Sequence, residues 1–448
     1  MMLNVQSQTD YVLRTVEERE IQFIQLWFTD VLGTPKAFNI TPAELENALE
    51  EGMTFDGSAI DGFSRIQEAD VLARPDPSTF QLLPLHEEGQ SVARVFCDIV
   101  NLDNTPFEGC PRAALRRVLG NAHQQGYTFF AAPELEYFYF EDLDPAGGLV
   151  GLDTGGYFDL TVADLSTELR RRSVLTLEEM GIPVEHAQHE DAPSQHEIDL
   201  RYTDALTMAD TVMTARLVIK EIARRSGVSA SFMPKPLASV QGSGMHTHVS
   251  LWREGKNAFV DTDDQNGLSE VAKCFIAGLL THAAEITAIT NQWINSYKRL
   301  VPGNEAPVTI SWARNNRSAL VRVPVIKAGK FDSTRLEYRA PDPAANPYLA
   351  FAVILAAGLR GIENSYSLPE ESDISLFGMD EAGLRNLGMT PLPSNLSDAV
   401  DAMESSALVK DTLGEHLFEW FIRNKRDEWA AYKSEVTDFE LQRYLPRL

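Results

Sequence analysis

The chain of 448 residues has only three cysteines, Cys97, Cys110 and Cys274, far apart and without CxxC spacing. So sparse a set excludes a disulfide framework and a cysteine-ligated zinc site, and it reads as reduced structural thiols. Long apolar runs are missing too. The longest, Tyr348 to Leu359, is roughly a dozen residues against the ~18 or more that a membrane span needs. The start, Met1 to Gln6, has no basic segment followed by an apolar run, which disfavours a signal peptide and makes the cytoplasm the expected location. Positive charge is in deficit, with 39 Lys and Arg against 65 Asp and Glu for a formal net charge of −26. Such a surface repels polyanions, so nucleic acid is a poor partner, and any phosphorylated substrate must meet local arginines or metal ions. Common motifs are absent as well. There is no GxxxxGK(S/T) loop, Gly242-Ser243-Gly244 lacks the third glycine of a dinucleotide fingerprint, and neither HExxH nor GxSxG occurs.

What is present is an ordinary globular composition, 44% hydrophobic and 23% charged, in a chain long enough for two or three domains. Ile21 to Phe28 reads as a strand ending at the Asp30 to Gly33 turn. Thr41-Pro42-Ala43-Glu44 reads as a capping box with proline at the first helical position, and Gly52 stops that helix. Phe55 to Phe63 is a polar, glycine-punctuated loop, and Ala93 to Val100 is a further strand. The turn-rich Asn101 to Gly109 marks a boundary, giving domains 1–109 and 110–448. Beyond it, Asp204 to Arg225 has helical apolar spacing and ends at Gly227. A last helix, Gly414 to Lys433, places Leu417, Phe421 and Trp429 on one side. Strands mixed with helices, without regular βαβ spacing, indicate an α+β fold.

Four segments alternate with period two but carry charge on one face. Glu134 and Glu136 project together from Phe130–Phe138, and two carboxylates so placed repel unless a cation or proton lies between them. His246, His248 and Ser250 share a face of Gly244–Ser250, and Glu337 lies between Arg335 and Arg339 on another. His189-Glu190-Asp191 to His196-Glu197 adds carboxylates. Hard divalent cations take carboxylate oxygens with an occasional imidazole, and guanidinium suits phosphate or carboxylate. One such strand is ordinarily a solvated sheet face; four in one chain point to a metal-dependent enzyme.

The chain resembles the glutamine synthetase family, type I, over nearly its whole length. The segments that carry the likeness are Phe55-Asp56-Gly57-Ser58, Pro133-Glu134-Leu135-Glu136, Gly155-Gly156-Tyr157-Phe158, Phe232-Met233-Pro234-Lys235-Pro236, Gly242-Ser243-Gly244-Met245-His246, Asn295 to Gly303, and Arg335 to Arg339. The resemblance implies a small N-terminal β-grasp-like domain and a larger catalytic domain whose curved antiparallel sheet is flanked by helices. It implies ATP-dependent ligation of ammonia to the γ-carboxylate of L-glutamate through γ-glutamyl phosphate. One Mg2+ or Mn2+ ion would be held by Glu136, Glu190 and Glu197 and another by Glu134, His246 and Glu337, so two or more per subunit. Gln241, Gly242, Arg299 and Arg339 match glutamate-binding positions. Glu185, His248, Ser250, Arg322 and Arg335, with Arg317, match the ATP and phosphate side. Asp56, supplied by a neighbouring subunit in the family, would join Tyr157, Glu190 and Glu305 around the ammonium ion. The family's assembly implies a homo-oligomer, a dodecamer of two hexameric rings.

Departures from the family pattern gather at the amine side: Ala59 for a serine, Asn304 for an aromatic residue, Gln241 for an asparagine, and Asp191 and Ser194 within the His-Glu-Val-Ala-Pro-Gly-Gln segment. They keep open a ligase for polyamines or ethanolamine as the alternative to ammonia. A non-catalytic protein of the same fold is the third reading, although such members typically lose metal ligands that are all present here. Arg65 matches an arginine linked to glutamine feedback, and Phe377 stands where adenylylated members carry a tyrosine.

Overall fold

The computed structural model describes residues 5–58, 60–62, 70–84, 91–144, 148–160, 164–264, 266–303, 305–327, 329–372, 383–384 and 389–448. Arg65, Ala59, Asn304 and Phe377 lie outside the described residues. The first sheet contains β1 (Phe23–Thr29), β2 (Pro35–Ile40), β3 (Met53–Asp56), β4 (Asp70–Pro75), β5 (Gln81–Leu82) and β6 (Val92–Val100), in the order β2-β1-β6-β4-β3, with β5 also on β6. β1 pairs in parallel with β6. Ile24, Leu26 and Phe28 of β1 enter the N-terminal core, whereas Trp27 on the opposite face joins the larger core. Burial on both faces is why this strand reads as a continuous apolar run.

The second sheet is built from β7 (Thr128–Phe140), β8 (Val184–His189), β9 (Gln195–Leu200), β10 (Thr203–Asp204), β11 (Ser229–Ser231), β12 (Thr247–Arg253), β13 (Lys256–Asn257), β14 (Trp312–Ala313), β15 (Val321–Arg322) and β16 (Leu336–Tyr338). Its main path runs β14-β15-β16-β12-β7-β9-β8, antiparallel except for the parallel pair β14–β15. With the helices that cover it, the architecture is α+β.

Helix Pro347–Glu363 explains the longest apolar run. Asn346 caps it by accepting from the amides of Tyr348 and Leu349, and most of its residues are buried. Its contact with helix Glu270–Thr281 is close because both carry glycine there. A Cβ on Gly278 would lie 2.2 Å from the Ala357 carbonyl, and one on Gly361 would lie 2.1 Å from that of Cys274. Among the described residues no single helix is long and apolar enough to cross a membrane.

Three local expectations change. Thr41 makes no side-chain cap; helix Pro42–Glu51 starts on the Thr41 carbonyl, which accepts from Glu44 N–H at 3.0 Å, and on the preset φ of Pro42. Phe55 and Asp56 belong to β3 and not to a loop, because Met53 and Phe55 pack on the N-terminal core while β3 pairs with β4. A further helix, Asp438–Tyr444, follows Glu415–Ser434. It buries none of its residues and is defined by a Thr437–Glu440 capping box, so no apolar stripe announces it.

Candidate active site

Register aligns the charged faces. Arg322 of β15 lies opposite Glu337 of β16, and Glu337 opposite His248 of β12. The Glu134 amide donates to the His246 carbonyl at 2.9 Å, and the Glu136 amide to that of Gly244 at 3.2 Å. On the far side Glu134 faces Asp199, and Glu136 faces Glu197. The alternate residues Leu135, Ile198, Val249 and Leu336 are buried in the main core. Once that apolar face is buried, pleating leaves the charged face no position but the cleft.

The cleft is lined by Glu134, Glu136, Glu190, Glu197, His246, His248, Glu305, Glu337, Tyr157, Gln241, Gly242 and five arginines, Arg299, Arg317, Arg322, Arg335 and Arg339. Glu185 and Ser250 lie in an adjoining cavity that shares Glu134, Asp199, His248 and Arg335 with the first. Its wall includes Phe130, Tyr202 and Trp252, with the Phe130 ring 5.8 Å from each of the other two. Asp56 does not reach the cleft of its own chain. It sits exposed on β3, its carboxylate accepting from the Ser58 amide at 2.8 Å.

One residue that the sequence analysis passed over is Asp199, which lines both cavities. Its Oδ1 is buried and has no hydrogen-bond partner among the described residues. Counting it, seven carboxylates face five guanidinium groups. The excess shows in the titration. Burial, then Glu190, pushes Glu136 well above the usual range; burial, then Asp199, does the same to Glu197; and burial, then Glu134, raises Asp199 to about 7. Burial also raises Glu134, but His248 and His246 outweigh it and leave this carboxyl low. Burial and Arg339 depress His246 to about 4, so its imidazole is neutral and free to ligate. Glu305 is raised by burial and Glu190.

This donor set fits a hard divalent cation: oxygen-rich, over-charged, with one neutral imidazole and an orphaned carboxylate oxygen. Glu134, His246 and Glu337 each bring one donor atom within 4.8 Å of the others, and so do Glu134, Glu197 and Asp199. Glu136 and Glu190 line the same cleft. The alternation Gln195, Glu197, Asp199 along β9 was the available signal for Asp199, since Glu197 and Asp199 must share a face.

Other groups are set by close packing. Gly242 tolerates no side chain, because a Cβ would meet the Pro234 carbonyl at 2.4 Å and Arg299 Cβ at 3.1 Å. Arg299, 2% exposed, is held by the carbonyls of Ala340 at 2.8 Å and Arg339 at 3.2 Å. Arg322 and Arg339 both donate to Glu337. Gln241 Oε1 accepts from the Glu305 amide at 3.0 Å, and Tyr157 bonds to Arg317.

Comparison with known proteins gives a consistent picture. Residues 20–102 match the family model for the glutamine synthetase beta-Grasp domain, and residues 108–444 match that for the glutamine synthetase catalytic domain. A glutamine synthetase from Mycolicibacterium smegmatis is 53% identical over 442 residues, 98% of this chain and 99% of that protein. One from Thermotoga maritima is 48% identical over 437 residues, covering 97% and 98%. Among solved structures, Plasmodium falciparum glutamine synthetase superposes with a TM-score of 0.88 at 27% identity over 99% of both chains. A GmaS/ADP complex superposes at 0.86 with 35% identity, covering 97% of this chain and 99% of that one.

Proposed function

The chain belongs to the glutamine synthetase family, and from that premise we propose how the residues of its cleft divide the work of joining ammonia to the γ-carboxylate of glutamate. The reaction uses ATP and a divalent metal and yields L-glutamine. Relatives at 47–53% identity over the whole chain are glutamine synthetases, so ammonia, not a polyamine or ethanolamine, is the amine, and a non-catalytic role is not favoured.

Two cation sites are assigned, Glu136 with Glu190 and Glu197, and Glu134 with His246 and Glu337, for Mg2+ or Mn2+. When bound, the cations offset the charge of the ATP phosphates and of the phosphoryl group in transfer. Arg317, Arg322 and Arg335 supply fixed positive charge on the phosphate side, with His248, Ser250 and Glu185 completing the ATP end and the aromatic wall flanking the base. Arg299, Arg339, Gln241 and Gly242 orient glutamate so that its γ-carboxylate attacks in line, giving γ-glutamyl phosphate. Glu190, Glu305 and Tyr157, with Asp56 of an adjacent subunit, bind ammonium and take its proton before ammonia displaces phosphate. The Gln241–Glu305 contact keeps the Glu305 segment over the cleft, where excluding water spares the acyl phosphate from hydrolysis.

One observation carries this reading. Paired strands and the loops and short helix beside them gather seven carboxylates and five guanidinium groups into one cleft, with one buried carboxylate oxygen there, Asp199 Oδ1, unpartnered among the described residues. The domains divide near residue 109, the assembly is a dodecamer of two hexameric rings in the cytoplasm, Arg65 mediates glutamine inhibition, and Phe377 accepts no adenylyl group. The test compares phosphate release and product mass with ammonium, putrescine, spermine and ethanolamine. Glutamine formed with ammonium is expected; turnover with spermine and none with ammonium overturns the reading. Co-expressed Asp56→Asn and Glu337→Gln chains separately test the shared site. Random pairing around a ring restores about a quarter of wild-type sites, whereas no recovery shows that Asp56 does not act in trans.

A further inference from the structure

A buried polar cluster centred on Asp153 lies outside the residues given roles above. Oδ1 of Asp153 accepts from His189 Nε2 at 2.7 Å and from the amides of Ser194 at 2.8 Å and Gly155 at 3.1 Å. Oδ2 accepts from Ser166 Oγ at 2.5 Å and His196 Nε2 at 3.2 Å. The main chain is tied in as well: the Asp153 amide donates to Ser194 Oγ at 3.0 Å, and that hydroxyl donates to the Asp153 carbonyl at 3.0 Å. Ser194 adopts φ 64, a left-handed conformation unusual for a residue with a Cβ, at a position where the family segment carries glycine. The hydroxyl that glycine would lack makes both main-chain contacts.

The partners of Asp153 bracket a single turn. β8 ends at His189 and β9 begins at Gln195, so His189, Ser194 and His196 hold the segment that presents Glu190 and Glu197. His189 Nδ1 donates to the Glu190 carbonyl at 2.7 Å, and the Glu190 amide donates to the Gln195 carbonyl at 2.8 Å. Gly155 begins the stretch leading to Tyr157, and a Cβ there would lie 2.7 Å from His189 Nε2. A transition-metal site at Asp153, His189 and His196 is the obvious competing use of these groups. The geometry disfavours it, because His196 Nδ1 faces the Arg170 guanidinium at 2.5 Å and the carboxylate is already met by five donors.

We infer that Asp153 is a positioning residue, which locks the Glu190–Glu197 turn and the start of the Tyr157 segment into one unit and so preorganises the cation and ammonium sites. The inference rests on Glu136, Glu190 and Glu197 being one cation site. Partners of this indirect kind are typically worth about 10–100-fold in metal affinity. Asp153→Asn keeps the shape but turns one acceptor into a donor facing donors.

The experiment titrates Mn2+ into metal-free full-length protein by calorimetry and measures the KM of ammonium and of ATP. In Asp153→Asn one class of Mn2+ site is expected to weaken about tenfold or more, with the other class within about twofold. The ammonium KM should rise in parallel, while the ATP KM stays within about twofold. Unchanged Mn2+ binding overturns the inference, and so does equal weakening of both classes together with the ATP KM, which is the mark of general disruption. Should Asp153→Asn fail to fold, Ser166→Ala, which removes one donor, is expected to shift the same Mn2+ class about threefold, and no shift overturns the inference. Wild-type protein that binds Mn2+ in two classes but forms no glutamine would sink the ligase reading, leaving this inference to the binding data.

Discussion

Replacing Glu337 with glutamine keeps the side chain's size and removes its charge. Glu337 is fully buried, accepts from Arg322 and Arg339, and lies 3.9 Å from His246 Nδ1. Burial raises its carboxyl, but Arg339 and then His248 outweigh that and hold it ionised below the usual range. The substitution has two separable consequences. Two guanidinium groups lose their shared counter-charge, and breaking a buried pair costs about 3–5 kcal/mol. Arg322 remains 25% exposed at its side chain and can recruit water, so the low end, about 3 kcal/mol, is the expected loss of unfolding free energy. One of three cation donors is also removed. A partner behind the ligands is worth about 10–100-fold, so a direct donor sets at least ~100-fold, or about 2.8 kcal/mol. Urea unfolding of metal-free protein measures the first quantity. Mn2+ titration and Mg2+-dependent phosphate release at saturating ATP and glutamate measure the second. Turnover within about threefold of wild type, with unchanged Mn2+ affinity, would refute the assignment of Glu337 to a cation site.

Burial raises Asp199 from 3.8 to about 7 in the metal-free fold, so the native state binds more protons than the unfolded chain between those values. Metal-free stability should therefore fall as pH rises from about 4 to 7, and Mg2+ should reverse the fall with proton release; urea midpoints that rise with pH in that window contradict this. Arg112 bridges Asp76, Asp98 and Asp210 between the N-terminal sheet and helix Ala205–Arg225. Burial raises Asp76, yet Arg112 draws it below 3.8, so this contribution is present above pH 3.8 and lost as pH falls through the lower folded value. Arg112→Met should cost about 3–5 kcal/mol at pH 7, and the cost should shrink only once pH is taken well below 3.8, read from urea curves on both sides of that value. Gly242→Ala forces a methyl against the Pro234 carbonyl and Arg299; steady-state kinetics should show the glutamate KM raised about tenfold, with the ATP KM changed far less.

The local pattern was legible from residue order. Period-two alternation placed Glu134 with Glu136, His246 with His248, and Glu337 with its flanking arginines, because in an extended strand the side chain's face depends on nothing but position. Proline and glycine punctuation marked the start and end of helix Pro42–Glu51, and the run from Tyr348 was legible as too short to span a membrane. The α+β class followed from the mixture of such elements. Local signals failed where packing overrode them: β3 is a strand because β4 pairs with it, and Thr41 leaves its side-chain cap unmade. Tertiary structure alone decided which charged faces meet. The pairings of β7 with β12 and β9, and of β12 with β16, join segments far apart in the chain, and their register is fixed by burying Leu135, Ile198, Val249 and Leu336 on the opposite face. The same long-range pairing delivered Asp199 to the cleft, and packing of the Asp153 segment against the β8–β9 turn and Ser166 gathered five donors around Asp153. Alternation along β9 puts Asp199 on the face of Glu197, but the cavities that the face lines, and most of the groups around Asp153, come from other elements.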